Sequence, residues 1–167
     1  SPTQTVGYPP VSELKKVPHP HPLLSLDKTK QVTDLCRFCG SHAALLMLKL
    51  DGLTVKLTYE NGRLKEAATR GDGETGEEIT HNIPAFENVP LTVAYKERLV
   101  VTGEAFIHKK DFERLNTTLR DRNGEPYKNA RNLAAGSVRS LDPENCKGRC
   151  VTFLPFNVLE GLDEGEN

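Results

Sequence analysis

A chain of 167 residues with 22 Lys and Arg, 23 Asp and Glu and a net charge of −1 has the make-up of one globular domain. Such a chain can bury about two-thirds of its unfolded surface. No stretch nears the ~20 apolar residues of a membrane span, and the N-terminus lacks a charged-then-apolar leader, so the expected location is the cytoplasm and no membrane contact is expected. Balanced charge excludes a global attraction to nucleic acid and leaves only local patches for that purpose.

Prolines crowd residues 1–22, in "SPTQTVGYPP" and "VPHPHP", which predicts an extended arm of polyproline type. The boundary is placed at 28, with a globular unit over 29–167. In "TKQVTDLCRFCG", Val32, Leu35, Cys36 and Cys39 recur at helical spacing with Gly40 as a stop, predicting a helix over 29–39 with its cysteines turned to the core. Cys36-x2-Cys39 and Cys146-x3-Cys150, with His42 nearby, fit no zinc-finger or ribbon spacing, and no residue is assigned as a metal ligand.

"LLMLKLDGLTV" over 45–55 reads as an apolar strand interrupted by Lys49 and Asp51. "LTVKLTYE", Asn61-Gly62 and "RLKEAATR" then form a hairpin, because both turn residues accept positive φ. A two-residue turn sets Thr58 against Lys65, Thr54 against Thr69 and Leu53 against Arg70. That register brings Arg70 to the open end of the hairpin, beside Lys49 and Asp51. The apolar positions are even from Leu46 to Leu50 and odd from Leu53 to Tyr59, so a bulge or break is expected at Asp51-Gly52. Lys49 then stands at the rim of the core. It is either a nucleophile at a pocket edge or one half of a solvated pair with Asp51. With an ordinary pKa near 10.4, only about one amine in 2,500 is neutral at pH 7, so a nucleophilic lysine needs help from burial or neighbouring cations.

"RGDGETGEEITHN" contains Gly71-x-Gly73-x-x-Gly76, formally a dinucleotide fingerprint. Asp72, Glu74, Glu77 and Glu78 place negative charge where a pyrophosphate would lie, and no acidic strand end follows some 20 residues later. An acidic turn entering a helix is the better reading. Further on, "LVVTGEAFI" (99–107) reads as a strand. "KKDFERLNTTLRDR" reads as a helix with Phe112, Leu115 and Leu119 inward, "ARNLAAGSVRSL" as another helix, and "CVTFLPFNVLE" as a last strand broken by Pro155. Antiparallel strands with flanking helices make the fold class α+β.

Taken together, "KLDG" (49–52), "LTYENGRL", "ATRGDGETGEEITHNI", "GEAFI", "YKNARNLAAGSVRSLDP" and the leading "SPTQTVG…HPHPLLSLD" closely resemble the adenylation domain of bacterial NAD-dependent DNA ligases, in order and over nearly the whole chain. The resemblance implies a nucleotidyltransferase fold of adenylation-domain, ATP-grasp-like type, incomplete at the C-terminus. It implies a monomer that serves DNA replication and repair on nicked double-stranded DNA, with NAD and Mg2+ as cofactors. In that family a lysine attacks the α-phosphate of NAD, expels nicotinamide mononucleotide and carries AMP to the 5′-phosphate of the nick. Lys49 matches this nucleophile and Asp51 the motif aspartate beside it. Ser25 and Leu26 match the pair lining the AMP site, Arg70 a nucleotide-contacting arginine, and Glu104 a nucleotide-site carboxylate at the ribose.

Arg131 and Arg139 match arginines of the family's N-x-R-N-x-A-A-G-S-x-R segment. On a helix they lie about 12 Å apart along the axis and within about 80° of each other. Residues 127–150 carry five Lys and Arg against two Asp and Glu, a local patch suited to nick phosphates, although a solvated helix face is equally consistent. The chain departs from the family at Met47, where a glutamate is usual, at Thr102 for an arginine and at Ala130 for a proline. By comparison with the family it starts after an NMN-binding helical domain and stops before the motifs that bring two further lysines. A non-catalytic homologue that binds nucleotide or DNA is the alternative expectation.

Overall fold

The structure is a computed structural model and describes residues 9–25 and 27–162. Among the described residues, six strands form two antiparallel sheets. A small sheet pairs β1 (Lys16–Pro18) with β4 (Thr75–Glu77). The large sheet runs in the order β3 (Arg63–Thr69), β2 (Leu53–Glu60), β5 (Leu99–Phe106), β6 (Thr152–Glu160). Helices α1 (Val32–Cys39), α2 (Lys109–Leu115) and α3 (Ala130–Val138) are short, and Thr80–Ala85 forms a 3-10 turn. This is a mixed α/β architecture. An all-antiparallel arrangement offers no parallel crossover for a dinucleotide fold, so the glycine loop belongs to something else. No helix among the described residues is long and apolar enough to cross a membrane.

The β2–β3 hairpin turns at Asn61 (φ 52°) and Gly62 (φ 74°), both left-handed as the sequence demands. Its register differs from the expected one beyond the first two pairs. Glu60 faces Arg63 and Tyr59 faces Leu64, but then Thr58 faces Glu66 and Val55 faces Thr69. Lys65 is the extra residue of a bulge. The cause lies in the apolar spacing: Leu64 and Ala67 both pack on the core, and residues three apart share a face only if one between them is skipped. One consequence is that Arg70, not Thr69, lies across from Thr54, to whose carbonyl its amide donates at 2.9 Å.

The large sheet has two dissimilar faces. Val55, Leu57, Tyr59, Ala67, Leu99 and Ala105 join Leu133, Ala134 and Val138 of α3 in the core. Thr54, Lys56, Thr58, Thr102 and Glu104 occupy the other face, as the register requires. Burial pushes the Tyr59 hydroxyl up to about 12, and that hydroxyl donates to the Pro90 carbonyl at 2.8 Å. Removing it strands the carbonyl, so Tyr59→Phe is expected to cost about 1 kcal/mol, read as a lower urea midpoint at unchanged slope.

Four expectations need correction. Residues 43–50 form no strand, and Leu45, Leu46 and Leu48 are exposed. Helix α1 buries nothing: Val32 is 74% and Phe38 88% exposed, and Cys36 is exposed too. Periodicity says which side chains share a face, not that a partner covers it, and among the described residues none does. Helix α2 stops at Leu115 because the Asn116 side chain turns to bond the Tyr127 backbone at both its carbonyl (2.9 Å) and its amide (2.8 Å). Phe112, Leu115 and Leu119 still pack on the core from either side of that stop. Finally, Pro155 does not break β6. It sits in the ladder opposite Gly103, beside a one-residue slip, on an edge strand where a missing N–H is tolerated.

Candidate active site

The break at Asp51-Gly52 is where the site begins. The chain bends at these two residues and enters β2 at Leu53. Gly52 passes so close to β5 that a Cβ there would lie 1.9 Å from the Ala105 carbonyl oxygen. Only glycine permits this approach. It brings Lys49 and Asp51, both exposed, beside the strand that carries Glu104. Glu104 pairs with Thr54 across the ladder, and Arg70 sits on the far side of Thr54.

Glu104 gathers the site electrostatically. Its carboxyl is held above the usual carboxylate range, chiefly by burial. Arg131, Lys49 and Arg70 each pull it down and Asp51 adds to the upward push, so all four charges lie within its reach. Three cations against two carboxylates leave the cluster at +1, a balance that favours an incoming anion. Ser25 of the arm joins it, accepting a hydrogen bond from Arg70 Nη1 at 2.6 Å. Leu26 lies outside the described residues. Met47, where a family glutamate was expected, is 41% exposed.

The arm is tied down by the glycine turn. Gly71 (φ 60°) and Gly73 (φ 98°) fold the chain back on itself, and the Asp72 carboxylate accepts the amides of Glu74 (2.9 Å) and Thr75 (2.8 Å). These bonds hold the Asp72 carboxyl below its ordinary range. The turn's own carbonyls then receive the arm: His19 N donates to Glu74 O at 2.7 Å and Leu23 N to Gly73 O at 2.8 Å. The glycine motif is thus a clamp for the arm that carries Ser25, and it leads into a strand, β4, before the 3-10 turn. His19 is buried beneath it, its pKa lowered by desolvation first and then by Lys56, with bonds to the Arg70 and Thr69 carbonyls and the charge of Glu66 opposing. A histidine whose folded pKa falls below 6.5 binds its proton more readily when unfolded. Stability is therefore expected to be full above pH 6.5 and to drop as pH falls toward the folded value, and His19→Gln is expected to lack that part of the decline in urea titrations.

Helix α3 does not present its arginines as one row. Asn129 caps it, accepting the Asn132 amide at 2.8 Å, and Arg131 in the first turn faces Glu104. Arg139 lies at the other end, outside the helix proper, and makes a two-pronged bond to Glu77 of β4 at 2.8 and 3.1 Å. The pair holds Glu77 below and Arg139 above their ordinary ranges. Asn82 fixes this end, donating to Val138 O and Ser140 O at 2.7 Å each. Sequence spacing could not show that Glu77, 62 residues away, would engage Arg139.

A family model described as the NAD-dependent DNA ligase adenylation domain matches residues 11–166. The chain belongs to that family. Among curated proteins it is 46% identical over 164 residues to a DNA ligase of Lachnoclostridium phytofermentans, covering 98% of this chain and 25% of that one. It is 47% identical over 160 residues to a DNA ligase of Ruminiclostridium cellulolyticum (96% and 24%) and 40% identical over 175 residues to that of Shouchella clausii (100% and 26%). The chain thus spans about a quarter of the length of these ligases. The cluster around Glu104 lies within the matched residues.

Proposed function

We propose that this chain is the nucleotide-loading part of an NAD-dependent DNA ligase, with an ATP-grasp-like nucleotidyltransferase fold and Lys49 as its nucleophile. The observation that carries this reading is the convergence of Lys49, Asp51, Arg70 and Arg131 on the half-buried carboxyl of Glu104. In the reaction, neutral Nζ of Lys49 gives up a proton to solvent and bonds to the α-phosphorus of NAD. The bond from that phosphorus to the bridging oxygen breaks, and nicotinamide mononucleotide leaves with the electron pair. AMP, now held as a phosphoramidate, passes to the 5′-phosphate of nicked DNA, and the adjacent 3′-hydroxyl displaces it. Arg70, steadied by Ser25, and Arg131 offset phosphate charge, while Glu104 accepts the ribose hydroxyls. Asp51 keeps the amine of Lys49 oriented.

Magnesium fits this site only as an ion borne largely by substrate. Among the described residues no group of three or more His, Cys, Asp or Glu is placed to hold a metal. Asp51 and Glu104 are the carboxylates at hand, in keeping with an ion that keeps its waters and prefers phosphate oxygens. Bound there, it would neutralise phosphate charge during transfer. Arg131 in the first turn of α3 is the proposed contact to nick phosphates, with Arg139 contributing from its pair with Glu77. The test is to incubate a ligase of full family length carrying residues 1–167 with NAD and Mg2+ and to weigh the intact protein. One adenylyl group on a peptide containing Lys49 is expected. Failure to gain it under saturating NAD would leave a non-catalytic nucleotide- or DNA-binding homologue.

A further inference from the structure

Besides Ser25, the arm reaches the candidate site with one buried ring. His19 is 7% exposed, and its Nε2 lies 3.0 Å from the Thr69 carbonyl oxygen and 3.1 Å from that of Arg70. A nitrogen between two carbonyl oxygens must carry the hydrogen, so Nε2–H donates to both and Nδ1 is bare. Nδ1 is buried and has no hydrogen-bond partner among the described residues. A lone pair left without a partner costs free energy, so the position of this ring is set by what Nε2 does. The fit is tight: a Cβ on Gly76 would lie 2.8 Å from Nε2 and 1.8 Å from the Thr69 oxygen.

Thr69 and Arg70 are the place where β3 ends. Beyond it, Arg70 is held at its amide by Thr54, at its carbonyl by Gly73 N (3.0 Å) and His19, and at its guanidinium by Ser25. Among the described residues its side chain forms no ion pair within salt-bridge distance. The arm therefore supplies both a backbone anchor and the side-chain partner of Arg70.

We propose that His19 is a positioning residue for the nucleotide. By bridging two successive carbonyls at the end of β3, its imidazole fixes the direction in which Arg70 leaves the sheet, and with it the place of Ser25. The role rests on the reading of this cluster as the nucleotide site. It acts through Arg70, and the ring itself touches no substrate.

The experiment uses the same full-length ligase and follows adenylylation of Lys49 in a single turnover against NAD concentration. His19→Ala is expected to raise the half-saturating NAD concentration about tenfold, the affinity equivalent of one lost polar contact, with the maximal rate changed less than about twofold. His19→Gln, whose amide can reach the place of Nε2, is expected to recover most of the loss. His19→Asn is too short to bridge both carbonyls and repeats the defect should the alanine variant fail to fold. In an Arg70→Ala background His19→Asn is expected to add nothing further, because coupled residues are not additive. A lowered melting temperature with unmoved half-saturation would mean that His19 only packs, and the role would be overturned. Full additivity with Arg70→Ala would overturn it as well. No adduct on the unmutated ligase would instead fell the site reading, and the role with it.

Discussion

Lys49→Arg in the full-length ligase is expected to abolish the AMP adduct, a fall of at least ~10^4 in adenylylation rate. Arginine keeps the positive charge that Glu104 feels, so the charge balance of the cluster survives. What disappears is the proposed nucleophile, since a guanidinium does not deprotonate in a protein. Residue 49 is exposed on a segment without regular structure, so the melting temperature should move little. Intact-mass measurement after incubation with NAD and Mg2+ reads the loss directly. An adduct formed at the unmutated rate on some other residue would remove Lys49 from the chemistry.

Gly52→Ala is expected to be nearly as damaging, for a reason that has nothing to do with charge. The added methyl would meet the Ala105 carbonyl carbon at 2.8 Å as well as its oxygen at 1.9 Å, and both are backbone atoms of β5 that cannot rotate aside. Relief requires β2 to part from β5 next to the Thr54–Glu104 pair. Overpacking of this kind costs about 1–3 kcal/mol in stability. The rate should fall further than stability does, by ~10^2 or more, because a shift near 1 Å between Lys49 and Glu104 spoils the attack geometry. The pairing of a modest drop in denaturant midpoint with a large drop in adduct formation is the signature to look for. Equal adenylylation with an unchanged midpoint would contradict the close approach.

Much of the scaffold could be read from residue patterns. Asn61-Gly62 fixed the hairpin because its turn needs two left-handed residues, and the change of phase at Asp51-Gly52 marked a real bend. A strand over Leu99–Phe106 and a helix over Ala130–Val138 stand where 99–107 and 130–141 read as strand and helix, the helix stopping early with Arg139 as its cap. The failures share a cause, which is that pattern reports local preference and cannot report a distant partner. The proline-rich arm pairs as a strand because β4 offers it carbonyls and amides some 60 residues away. The bulge at Lys65 arises from the demand of the core for both Leu64 and Ala67. Arg131 and Arg139, evenly spaced on paper, part company because Glu104 and Glu77 draw them to different neighbours. His19, set among prolines, belongs to no periodic pattern that could have marked it.

The two-sided character of the large sheet has a practical outcome for anyone altering this domain. Leu57, Tyr59 and Ala67 point one way and Thr54 and Glu104 the other, so the side chains that hold the fold and those of the proposed site stand on opposite sides of one layer a single residue thick. Substitutions of core side chains such as Leu57 or Val138, which leave Arg131 at the start of α3 in place, should therefore shift the unfolding temperature more than they shift the proposed chemistry. An engineer could harden the module and retune it as two independent tasks.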